Sequence, residues 1–175
     1  MTSKEKIEQA FLQLSFAIKL LTYFELNKVK KEEFDRDTTV ILKRKNINLP
    51  NNTFQTYNDL VLAAENNFNI TLGATAIIMD ESLSSAGFKN SYKDMTTNAQ
   101  LRTLVYMIRC AFAHNMIQPT WQVRPGYLVE LRLALLQDTI VVNLNELNGK
   151  PFNMEQIGGH EVYWEIKNQV IKMIS

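Results

Sequence analysis

The chain has 175 residues, 46% apolar and 21% charged, which suits one soluble globular domain whose core needs no staples. Net charge is +1, from 19 basic and 18 acidic residues, which excludes a strongly basic nucleic-acid coat. A single cysteine, Cys110, excludes an internal disulfide and a multi-cysteine zinc site, and two histidines, His114 and His160, leave little for a metal centre.

No metal and no cofactor is therefore expected. Met1–Lys6 is charged and lacks a signal-type apolar region. No run approaches the ~20 apolar residues of a membrane span. A reducing cytoplasm is the expected compartment, with no membrane partner.

Residues 3–31 read as one helix, with Ile7, Phe11, Leu14, Ile18 and Leu21 on one stripe. Thr2 and Glu5 suit a capping box, and Lys28, Lys30 and Lys31 suit the C-terminal turn. A short strand is expected at residues 39–42. A second helix, 54–86, opens at Asn52-Thr53 and stops at Gly87. Gly73 within it marks either a kink or a close helix contact. A third helix, 98–117, is expected to be capped by Thr97 and Gln100 and closed by Pro119. Val129–Leu133 alternates with period two and Thr139–Leu144 is β-rich, so a hairpin is expected near 128–144, turning at Gln137-Asp138. Asn148-Gly149 marks a turn, and Gly158-Gly159 precedes a terminal helix at 160–174.

The expected fold is mainly α. Long antiparallel helices form a bundle over residues 1–125, and a small β-hairpin and short C-terminal helix, 126–175, belong to the same compact unit.

Charge is uneven along the chain. Residues 101–132 hold Arg102, Arg109, Arg124 and Arg132 against Glu130 alone, so this segment is the one suited to attract an anion. Within it, Ile108-Arg109-Cys110-Ala111-Phe112-Ala113-His114-Asn115 places an arginine five residues before a histidine near a helix end.

That motif, on a bundle of long helices, resembles the HEPN superfamily (higher eukaryotes and prokaryotes nucleotide-binding), whose hallmark is Arg, four to six residues, then His. The resemblance covers residues 1–120. Cys110 stands where the family usually carries a polar residue. The resemblance implies a metal-independent endoribonuclease acting as a homodimer, with His114 as base and Arg109 as phosphate clamp. As a toxin or defence effector it would have RNA as substrate and an antitoxin or regulatory protein as partner. Cys110 and Asn115 are supporting candidates, and Arg102 and Arg124 are candidates for RNA binding. The alternative is a non-catalytic dimeric RNA- or nucleotide-binding or assembly module with a vestigial motif, which Cys110 favours.

On a continuous helix a five-residue offset turns 140° past a full turn, so Arg109 and His114 would not share a face. They could converge only through the long Arg109 side chain, a distorted helix end before Pro119, or a partner subunit, and a composite site between two copies is favoured over a one-chain site. Trp121 reads as a packing plug, His160 as a helix-start residue and Cys110 as a small apolar group.

Overall fold

The computed structural model describes residues 1–43, 45–136 and 138–175. It is mainly helical, 57%, with two small antiparallel hairpins. In chain order come α1 (Ser3–Glu25), α2 (Lys31–Phe34), β1 (Thr38–Ile41), β2 (Asn46–Leu49), α3 (Tyr57–Ser85) and α4 (Thr97–Phe112). Then come β3 (Glu130–Leu135), β4 (Asp138–Asn143), α5 (Leu144–Leu147) and α6 (Gly159–Ile174). Two compact units emerge, one of residues 1–14 with 69–175, the other of residues 15–68. Both α1 and α3 contribute to each, and the expected division at residue 125 does not coincide with this one.

In the 15–68 unit, α1 stops at Glu25 rather than running to residue 31. Asn27 takes a left-handed conformation, φ 51°, and Lys28 N–H donates to the Tyr23 carbonyl at 2.8 Å, which closes the helix end. Lys28, Lys30 and Lys31 thus lie beyond α1, and Lys31 opens α2. Phe24, Leu60 and Ala64 form the core here, and the Tyr57 hydroxyl donates to the Phe24 carbonyl at 2.7 Å. The start of α3 is Tyr57, set by Thr56 and Asp59, whose side chains cap each other's backbone N–H, rather than by Asn52-Thr53. The expected strand at 39–42 is β1, and it pairs with β2 in a hairpin not expected from the sequence. All eight of its residues are exposed, so no burial pattern announces it.

In the other unit the Thr2–Glu5 capping box forms as expected. On the packed side of α3, Thr75 Oγ1 and the Tyr163 hydroxyl of α6 lie 2.7 Å apart, and burial pushes the Tyr163 phenol well above its ordinary value. Asp80 of α3 pairs with Arg102 of α4, and Gly73 of α3 meets Phe112 at the far end of α4, so these two helices run antiparallel. The α3 helix runs unbroken through Gly73, where the close helix contact is the one expected. Gly87, φ 89°, ends the α3 segment as expected.

Gln100 does not cap α4. Its amide donates to the Met95 carbonyl and accepts from Arg132 N–H, both at 2.7 Å, which ties α4 to β3. The expected hairpin is β3–β4, with Leu131, Leu133 and Leu135 turned inward. Gln137 of its expected turn lies outside the described residues. The terminal helix is α6, entered through left-handed Gly158 and Gly159.

Candidate functional site

The site is built where α4 ends. The apolar face of α4 continues to Phe112, which is fully buried, its ring 5.1 Å from Phe152. Phe152 in turn lies 5.2 Å from Trp121. This aromatic row fixes the helix end at Phe112, earlier than the expected residue 117. Thr120 N–H then donates to the Ala111 carbonyl at 3.1 Å, so the returning chain satisfies a terminal helix carbonyl. Between these points, Asn115 Oδ1 accepts from Ile117 and Gln118 N–H, both at 3.0 Å, and shapes the turn. His114 therefore sits in a loop and not on the helix. Of the three expected routes to convergence, the early helix end is the one present: α4 has ended before the histidine is reached, so the 140° offset of a continuous helix does not apply.

The result is one open cleft of about 480 Å³. One wall is the last turn of α4 and the start of the loop beyond it, with Arg109, Cys110, Ala113 and His114. The other is the 120–124 segment with the Asn148-Gly149 turn. Trp121 N–H donates to the Lys150 carbonyl, Gly149 N–H to the Trp121 carbonyl, and Val123 N–H to Asn148 Oδ1, which makes that wall rigid. Arg124 also lines this cleft. Thus Arg109, Cys110, His114 and Arg124, four of the six candidate residues, line one concavity within a single chain.

No aspartate or glutamate lines this cleft. The side chains of Arg109, His114 and Arg124 have no hydrogen-bond or ion-pair partner among the described residues. Two uncompensated guanidinium groups facing one concavity create a field for an anion. Cys110 is half-buried and interacts with the Tyr106 hydroxyl. Partial burial raises the Tyr106 phenol above its ordinary value, the Cys110 contact adds to this, and the charge of Arg124 opposes it. Among the described residues no group of three or more His, Cys, Asp or Glu side chains is placed to hold a metal ion. No helix is long and apolar enough to cross a membrane, among the same residues. Compared with known proteins, the chain matches no family model, no curated protein and no solved structure.

Two candidates lie elsewhere. Arg102 is only 2% exposed. Its guanidinium is held by Asp80, by Ser84 Oγ at 2.8 Å and by the Phe88 carbonyl at 3.1 Å, so its donors are used inside the fold. It is a packing residue, because its α4 face turns toward α3. Asn115 shapes the loop that carries His114 and borders the neighbouring concavity instead of this one. Trp121 is the buried plug expected, its indole N–H donating to Gln156 Oε1 at 2.7 Å. His160 is exposed in the first turn of α6.

Thr120, Gln122 and the Asn148-Gly149 turn were not among the expected site residues. The turn itself is legible as Asn-Gly. Its position opposite His114 depends on the backbone pairing of Thr120 with Pro151, which no local pattern signals.

Proposed function

We propose that the chain cleaves RNA without a metal, with His114 and Arg109 as its catalytic pair, as its resemblance to the HEPN superfamily implies. The observation that carries this reading is the convergence of Arg109, His114 and Arg124 on one carboxylate-free cleft. The neutral imidazole takes the proton of a ribose 2′-hydroxyl. The 2′-oxygen bonds to the adjacent phosphorus, and the bond from phosphorus to the 5′-oxygen breaks. The products are a 2′,3′-cyclic phosphate and a 5′-hydroxyl. Arg109 stabilises the charge that builds on the phosphate oxygens, and Arg124 holds the strand in the cleft. The leaving 5′-oxygen needs a proton, and His114 is the one imidazole among the described residues lining the cleft. A second copy, facing the first across a two-fold axis, supplies its own His114 as that acid.

Purified protein incubated with total RNA in chelator tests this. Wild type leaves cyclic phosphate ends, and His114→Ala lowers the rate by ~10²–10⁴-fold. Arg109→Ala does comparable damage, and neither variant shifts the melting temperature, because neither side chain is committed within the fold. Variants that cut as fast as wild type overturn the assignment. RNA that is bound equally and left uncut by all three identifies the non-catalytic module instead. A monomer by light scattering under assay conditions overturns the dimer.

A further inference from the structure

Beside the arginine cleft lies a second one, of about 530 Å³. The two share His114, Thr120 and Gln122, so the imidazole stands on the ridge between them. Their chemistries differ. The first presents two guanidinium groups. The second has no lysine, arginine, aspartate or glutamate in its lining; side-chain amides there meet apolar walls from prolines and Phe152. Both volumes fall within the roughly 300–1,000 Å³ of small-ligand pockets.

The amides divide into two groups. Asn69 donates to the Ile117 carbonyl at 3.0 Å, and Asn115 accepts two backbone N–H groups, so these two build the wall. The side-chain amides of Gln118 and Gln122 have no hydrogen-bond partner among the described residues, and both are exposed. Each offers one acceptor and two donors side by side. A phosphate finds no permanent cation here. A flat neutral group with donors and acceptors on its edge and an apolar face finds both kinds of complement. Nucleobases are such groups, and amides read their edges in pairs.

We infer that this second cleft is a nucleobase subsite, which seats the base adjoining the phosphate held between Arg109 and Arg124, with Gln118 reading its edge. This rests on the proposed function in taking that phosphate to belong to RNA.

Equilibrium binding of the four nucleoside 3′-monophosphates, against inorganic phosphate, tests the inference by calorimetry. At least one nucleotide should bind about 5- to 150-fold more tightly than phosphate, the range one bidentate base contact gives. Gln118→Ala should erase that excess and leave phosphate binding unchanged. Gln118→Leu, of similar size but without the amide, should do the same. Arg109→Ala should weaken phosphate and nucleotide alike. Nucleotides that bind no better than phosphate, or an excess that survives both Gln118 variants, overturn the base subsite while the phosphate cleft and RNA cleavage stand. Absence of both phosphate and nucleotide binding overturns this inference and the proposed function together. A nucleotide excess lost in Gln118→Ala, in a protein that cuts no RNA, sustains the subsite and removes only the nuclease chemistry.

Discussion

Gly73, midway along α3, lies against Phe112, the last residue of α4: a methyl group on Gly73 would stand 2.8 Å from Phe112 Cδ1 and 3.1 Å from its Cβ. Glycine here sets how closely the two helices approach, and hence where α4 delivers the chain to His114. Phe112 cannot yield easily, because it is fully buried and Phe152 packs against its ring.

Gly73→Ala is therefore expected to destabilise. A gain of about 0.5–1 kcal/mol from helix propensity is outweighed by about 1–3 kcal/mol of overpacking. Urea unfolding would measure the loss. Gly73→Ala together with Phe112→Leu should recover part of it, because the smaller side chain makes room.

For Arg102 the expected phenotype is structural. Arg102→Ala leaves the Asp80 carboxylate without its partner in a largely buried setting and should cost about 3–5 kcal/mol. The double variant Arg102→Met, Asp80→Leu should recover most of that, since an apolar pair of similar volume replaces a desolvated ion pair. Cleavage per folded molecule should hold in the double variant and fall in Arg124→Ala.

Asn115 acts on the site through the loop it shapes. Asn115→Ala removes the acceptor for two backbone N–H groups and should cost about 1 kcal/mol. The rate should fall through kcat, with KM little changed. Asn115→Asp retains the acceptor and should restore the rate. A rate that falls equally in both variants would show that the amide itself serves the reaction.

Cys110→Asn separates two surroundings for the thiol. Because Cys110 is half-buried and lines the cleft, an amide there reaches solvent, and the melting temperature should hold. Hydrogen bonds gained near the phosphate should preserve or raise cleavage. A clear drop in melting temperature, from about 1–3 kcal/mol of unsatisfied amide, would place the side chain in the core instead.

How much of this was legible in the sequence depends on which forces act locally. The helices follow from apolar spacing, and β3–β4 from alternation, because both patterns record which side is buried. Their ends were less legible. A left-handed Asn27 stops α1, the Thr56–Asp59 pair starts α3, and a returning chain terminates α4 five residues before the expected point. The last of these mattered most. Arg109 and His114 were readable as a pair, but the cleft that joins them depends on Thr120 folding back onto Ala111, a contact between segments. Arg102 was misplaced for a related reason: its carboxylate partner lies 22 positions earlier in the chain, on another helix.

The hydrogen bond from Thr120 N–H to the Ala111 carbonyl has an entropic consequence for His114. It closes a short loop around the histidine; Asn115 pins that loop from within, and Asn69 of α3 pins it from outside. Closure of so short a segment is inexpensive, and its cost is met during folding. The His114 backbone is thus fixed at the cleft before any ligand enters. Ordering of this backbone does not have to be deducted from the free energy of association, and only side-chain rotamers remain to be settled when a ligand enters.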